Sequence, residues 1–183
     1  ATNVRFPSPR LFQELYKVPV QGGRSILLSA AGVEHARYNS DGSLLVYQDR
    51  KGYEDPWRKH HTSSVTRDIW LWDTKANTYS RFSKFEGEDR EPLFSSDDQY
   101  IYYLSEKNGT QNIFKAPLRL KIAEQQLTRF KDHPVRHLTA SKDNVLCFTW
   151  NGEIYTLAGE GSPKKVNIRI AADARTNDEQ VVP

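Results

Sequence analysis

ELYKVP at Glu14–Pro19, DIWLWD at Asp68–Asp73, NIFKAP at Asn112–Pro117 and EIYTLA at Glu153–Ala158 are four copies of one short apolar phrase. Their central Leu15, Ile69, Ile113 and Ile154 lie 54, 44 and 41 residues apart. A period of about 40–50 residues marks a stacked or radial array, in which no single unit buries its own apolar face. Two further phrases keep the same rhythm. YNSDGSLLVYQD (38–49), FSSDDQYIYYLS (94–105) and TASKDNVLCFTW (139–150) each lead through a Ser/Asp/Gly/Asn turn into an apolar run. Asp-Gly and Asp-Asn supply the positive φ that such hairpin turns need. ILLS (26–29), RFS (81–83), QLT (126–128) and KVNI (165–168) close each unit, about 12–14 residues beyond the centre of the Ile-aromatic phrase.

One unit therefore reads as four short strands, A to D: A before the Asp-rich turn, B of the LLVYQD type, C of the DIWLWD type and D of the RFS type. Short runs bounded by turn residues at regular spacing form an all-β meander, and four-stranded sheets repeated radially form a β-propeller. Solenoid coils repeat over fewer residues and need no four-stranded unit. The expected fold is all-β, with about three and a half four-stranded antiparallel blades in an incomplete ring. The arc spans residues 1–170, as a partial blade at 3–29 with strands C and D only, and blades at 33–83, 89–128 and 132–170. Residues 171–183 read as a linker or disordered tail. Two stretches interrupt the rhythm. LRLKIAEQQ (118–126) carries Leu118, Ile122 and Gln126 on one helical face, but its place between strands C and D favours an elongated hairpin connection. Residues 50–67 are an insertion between strands B and C of the second unit, and they account for the 54-residue spacing.

Composition narrows the function. The 183 residues are 37% apolar, 27% charged and 11% aromatic, with a net charge of only +3. No basic tract is present, so neither nucleic acid nor membrane is an expected partner. No apolar run reaches the ~18 residues of a membrane span. The single Cys147 excludes an intrachain disulfide, and its place in VLCFTW predicts a buried thiol. The absence of Met reads as an internal piece of something longer.

Catalytic motifs are missing: there is no Gly-x-Ser-x-Gly elbow, no His-Glu-x-x-His and no Cys pair at metal spacing. Asp41, Asp97, Asp98 and Asp143 recur at one hairpin position in different units, which is turn chemistry rather than a calcium loop. His60 and His61 are adjacent and do not converge on one ion. Asn108-Gly109-Thr110 matches a glycosylation sequon but reads as an ordinary B–C turn. No catalytic residue, metal or cofactor is expected. In a propeller the D-to-A and B-to-C connections emerge on one face. That face gathers GVEHAR (32–37), GEDREP (87–92), KDHPVRH (131–137) and the long insertion. The candidate peptide or interface contacts are Trp57, Arg58, His60, His61, Arg67, Glu88, Asp89, Arg90, His133 and Arg136. The competing reading is that these charges solvate loop tips and pair locally, Arg90 with Glu88 for instance.

The units Ser-Asp-Gly, apolar strand, Asp/Asn-Ile-aromatic and Leu/Phe-Ser/Thr resemble the propeller repeats of TolB and tricorn-type proteases. RKGYEDPWRKHHTSSVTRDIWLWD, FEGEDREPLFSSDDQYIYYLSEKNGTQNIF and FKDHPVRHL together resemble the N-terminal propeller of bacterial tricorn-like serine peptidases. The likeness covers about residues 10–170. It implies a non-catalytic propeller in a larger peptidase, filtering peptides or scaffolding assembly, with PDZ and peptidase-core domains as neighbours and polypeptides as substrate. It implies a periplasmic or cell-envelope location, with the cytoplasm as the alternative. Three and a half units cannot close, so homo-oligomerisation through open sheet edges is expected. Two alternatives remain: a TolB-like periplasmic interaction module without peptidase activity, and a hydrolase or lyase site housed in the repeats themselves.

Overall fold

The computed structural model describes residues 2–3, 13–52, 63–119 and 122–169. They form four antiparallel sheets and no helix. The first sheet joins β1 (Thr2–Asn3), β2 (Glu14–Lys17) and β3 (Ile26–Ser29). The second meanders through β4 (Val33–Tyr38), β5 (Leu44–Asp49), β6 (Ile69–Asp73) and β7 (Thr78–Arg81). The third runs β8 (Asp89–Phe94), β9 (Tyr100–Ser105), β10 (Asn112–Pro117) and β11 (Gln125–Gln126). The fourth runs β12 (Arg136–Ala140), β13 (Val145–Trp150), β14 (Glu153–Ala158) and β15 (Lys164–Lys165). Their inner strands β4, β8 and β12 lie side by side, so the sheets are blades around one axis and the ring they begin does not close.

Period-2 alternation explains the packing. In β5, Leu45 and Tyr47 join Leu15 of the first sheet with Val33 and Trp72, whereas Val46 faces the other way with Ile69 against Ile101, Tyr103, Phe114 and Ala116 of the third sheet. In β9 the alternate Tyr102 and Leu104 meet Val135, Leu138, Leu146, Phe148 and Leu157 of the fourth. A strand covered on both faces needs apolar residues at every position, and nearly all of β5 and β9 is buried. In β13 burial alternates, because Leu146 and Phe148 face the third sheet and nothing described covers the other side. Cys147 lies on that uncovered side and is only half-buried, contrary to the burial its apolar neighbours suggested.

Three features differ from the sequence expectation. The first sheet holds a third strand, β1, paired with β2 through Thr2↔Leu15 and Asn3↔Glu14, where strands C and D alone were expected. The outermost strands β7, β11 and β15 begin one to three residues earlier than RFS, QLT and KVNI. In RFS and QLT the closing hydroxyl satisfies a backbone donor of strand C. Ser83 Oγ accepts from the Ile69 N–H at 3.0 Å and Thr128 Oγ1 from the Ile113 N–H at 2.8 Å. The tail from 171 lies outside the described residues, as do 120–121 of the C–D connection.

Neighbouring blades are also stapled by hydrogen bonds at repeating positions. The residue at or just before the start of each inner strand donates its N–H to the carbonyl of the residue preceding the C-strand phrase of the blade before it: Val33 to Gln13 at 3.3 Å, Asp89 to Arg67 at 3.1 Å and Val135 to Gln111 at 2.9 Å. At the A–B turns a left-handed residue is required, and Gly42, Asp98 and Asn144 supply it at φ 71°, 55° and 58°. The Asp98 carboxylate accepts from the Ser40 N–H and hydroxyl of the preceding blade. Asn144 accepts from the Ser96 N–H at 2.7 Å and donates to its hydroxyl at 2.8 Å. Turn chemistry and blade-to-blade attachment are thus the same residue. Asn144→Ala is expected to cost about 1–2 kcal/mol, by loss of the staple and by the steric penalty of a left-handed Ala. Asn144→Gly loses the staple alone and retains about half of that stability in urea titrations.

Candidate functional site

The described candidates fall into a buried group and an exposed one. Arg67 precedes β6, and Glu88, Asp89 and Arg90 enter β8; all four are buried. His133 is exposed and Arg136 half-buried, ahead of and within β12. Trp57, Arg58, His60 and His61 lie outside the described residues.

The buried group is an ion-pair chain across the second and third blades. Arg67 Nη1 lies 2.8 Å from Glu88 Oε1, and its Nε lies 3.1 Å from Glu34 Oε2. Arg90 Nε reaches the same Glu88 oxygen at 2.6 Å, and Arg50 Nη1 holds Glu34 Oε1 at 2.7 Å. Gln48 Nε2 adds a hydrogen bond to Glu34 at 2.8 Å. Burial pushes the Glu34 carboxyl up, but Gln48, Arg67 and Arg50 outweigh it and leave the group below its ordinary range. Burial likewise opposes the Arg67 charge, and Glu88 with Glu34 reverses the effect. Desolvated pairs of this kind are costly to break from one side. Glu34, Gln48 and Arg50 were not among the sequence candidates. The repeat register carried the signal, since Glu34, Arg90 and Arg136 occupy one equivalent position, acidic in the second blade and basic in the third and fourth.

His133 sits against a tryptophan. Its carbonyl accepts from Trp150 Nε1 at 3.0 Å, and its ring meets the indole edge-on at a centroid distance of 6.2 Å. Arg136 heads β12 on the same end of the arc. The inner strands carry a bulge at this end, where His35, Glu91 and His137 take φ of 50°, 51° and 57°. Among the described residues no group of three His, Cys, Asp or Glu side chains is placed to hold a metal ion.

Asp89 departs from the repeat. Val33 and Val135 fill its equivalent positions, and all three residues are buried at 2%, 0% and 0% exposure for Val33, Asp89 and Val135. Neither Asp89 oxygen makes a hydrogen bond of ordinary geometry. Burial pushes its carboxyl up to about 7, opposed by the nearby Ser105 and Ser83 hydroxyls and by Lys107, and reinforced by Asp68. A carboxyl raised in the folded state stabilises fully below its unfolded value and loses that contribution as pH rises through the folded value. Asp89→Asn is therefore expected to match the parent chain at pH 4 and to exceed it by about 2 kcal/mol at pH 8. Paired urea titrations at the two pH values check this; equal stability at pH 8 contradicts it.

Residues 2–162 match the family described as the tricorn protease N-terminal beta propeller domain. The Tol-Pal system protein TolB of Helicobacter pylori strain 26695 is 28% identical over 79 residues, which is 43% of this chain and 19% of that protein. The crystal structure of the tricorn protease superposes with a TM-score of 0.66 at 22% identity, covering 84% of this chain and 14% of that one. A putative TolB from Agrobacterium tumefaciens gives a TM-score of 0.67 at 15% identity, covering 84% and 56% of the two chains. TolB from Acinetobacter baumannii gives 0.65 at 15%, covering 84% and 37%. The chain spans about a fifth of the curated relatives it matches, and the structural likenesses establish the fold. The stapled, unclosed blades and the match over residues 2–162 make this chain a member of the tricorn protease N-terminal β-propeller family.

Proposed function

We propose that this chain is the non-catalytic propeller part of a tricorn-like serine peptidase, where it gates peptide access or scaffolds assembly for proteolysis. The observation that carries the reading is the concentration of charge at one end of the arc. There the buried Glu34–Arg67–Glu88–Arg90 chain fixes the loops rigidly, and Lys131, Asp132, His133, Arg136 and His137 stand beyond it. A rigid scaffold presenting charged connections is the usual setting for binding. The parent carries the peptidase and PDZ regions, and its substrates are polypeptides. Fluorescein-labelled peptides of mixed sequence should bind this chain saturably in anisotropy titrations, and Lys131→Glu with Arg136→Glu should weaken them about fivefold or more. No saturable binding to the unaltered chain overturns the peptide reading.

The second reading is a TolB-like interaction module without peptidase activity, favoured by the 79-residue match to Tol-Pal system proteins. It implies a periplasmic or cell-envelope site, and the tricorn-like reading is compatible with the cytoplasm. Among the described residues no helix is long and apolar enough to cross a membrane.

Copies of the chain associate through their open end sheets. Ile26 and Leu27 of β3 are 57% and 45% exposed, and the outer face of β13 carries half-buried Val145 and Cys147. Sedimentation at increasing concentration should show a dimer, weakened by Leu27→Lys; a monomer throughout contradicts it.

A further inference from the structure

Each blade offers its predecessor an aromatic pair, one ring from strand B and one from strand C. In the fourth blade the pair is Phe148 and Tyr155, which lie opposite each other in register. Phe130, two residues beyond the closing Thr128 of the third blade, covers them. Its ring centroid lies 6.2 Å from Phe148, 6.0 Å from Tyr155 and 4.4 Å from Trp150, stacked on the last. In the third blade the pair is Tyr103 and Phe114, and Phe82 of the second blade meets Tyr103 edge-on at 6.3 Å.

The second blade breaks the pattern. Its pair is Tyr47 and Trp70, again directly opposed. The residue two beyond the closing Ser29 of the first sheet is Ala31, the same offset that Phe130 has from Thr128, in a connection of four residues to Val33 where the later one takes seven to Val135. The shorter connection brings a methyl group and no ring, and a cavity of about 350 Å³ opens there, lined by Ala31, Tyr47, Asp49, Trp70 and Tyr79 among others. Asp49 occupies the register position that Trp150 holds in the fourth blade. The cavity persists because the chain behind it is fixed. A Cβ on Gly32 would approach the Arg50 carbonyl oxygen to 2.2 Å, so the linker lies directly on the Arg50 backbone.

Polar groups at the cavity are partly spent. The Asp49 oxygens accept from the Asp68 N–H at 2.8 Å and from Trp70 Nε1 at 3.0 Å. Two donors are not: Arg50 Nε is buried without a hydrogen-bond partner, and the hydroxyl of the buried Tyr47 makes no hydrogen bond among the described residues. Burial, with Tyr79 and Asp49 nearby, pushes that hydroxyl up to about 12, so it remains a donor at neutral pH. Aromatic walls with unspent donors at the rim match an aromatic side chain whose adjoining amide carbonyls accept hydrogen bonds.

We propose that this cavity is a binding site for one aromatic residue of a polypeptide, seated where Phe130 sits in the fourth blade. The proposal rests on the peptide-handling reading above and adds to it a side-chain preference and a second location, between the first and second sheets and apart from Lys131 and Arg136.

The test uses the 183-residue chain labelled with 5-fluorotryptophan, with the Trp70 resonance assigned by Trp70→Phe. N-acetylphenylalaninamide should shift the Trp70 signal saturably at millimolar concentration, and N-acetylglycinamide and N-acetyllysinamide should bind at least tenfold more weakly. Ala31→Phe places the missing ring in cis and should abolish the shift while raising the melting temperature. If Ala31→Phe destabilises the fold instead, Tyr47→Phe, which deletes only a rim donor, should weaken binding at least threefold. No saturable shift overturns the proposal, as does equal binding of the three probes or unaltered binding by both variants. The Lys131→Glu, Arg136→Glu chain should retain the Trp70 shift. Loss of peptide binding there with the shift intact bears on Lys131 and Arg136 alone.

Discussion

Burial of one sheet face against the next is the interaction on which the rest of this molecule depends. A four-stranded antiparallel sheet has two faces, and a meander of short strands cannot cover either by itself. Each of the three apolar clusters is shared between successive sheets: Leu15 with Leu45 and Tyr47, Val46 and Ile69 with Ile101 and Phe114, and Leu104 and Ile113 with Leu146 and Phe148. No blade has a core of its own. The inner strands converge as a result, their bulges stack at one end of the arc, and the charged connections are brought together there.

That convergence explains why acidic and basic side chains at the corner between the second and third blades are buried rather than displayed. Arg67 enters from a B–C connection and Glu88 from a D–A connection, and the packing of the two sheets closes over both. The chain of pairs gives the corner a fixed geometry at the expense of desolvation, and Asp89 beneath it bears an uncompensated part of that expense. His133 and Arg136, in the fourth blade, are exposed and half-buried respectively among the described residues.

The fold was legible in the sequence because it is written four times. The strand C phrases coincide with the strands at Asn112–Pro117 and Glu153–Ala158 and overrun them by one or two residues at Ile69–Asp73 and Glu14–Lys17, and the strand B phrases end where β5, β9 and β13 end, since each is an apolar run ending at a turn. Outermost strands were less legible: β7, β11 and β15 are short and exposed, so no burial pattern marks their start. β1 is a two-residue pairing with no apolar signal. Cys147 shows the limit of reading a residue by its neighbours, because nothing described covers its face of β13. The charged corner was legible as a location. That Glu34, Gln48 and Arg50 complete it follows only from strand register, and the slot left by Ala31 emerges only when the blades are overlaid position by position.

The staples at the A–B turns all point the same way along the chain. Asp98 reaches back to Ser40, Asn144 reaches back to Ser96, and an N–H at or just before the start of each inner strand is given to the blade before it. A blade emerging from the ribosome is therefore completed by its successor, not by its predecessor. Each newly made unit finds its docking groups already in place and brings the latch itself. Lys142, at the position of Ser40 and Ser96, is the catch that the next unit in such a series would engage. Each junction is therefore complete only once the later of its two blades is present.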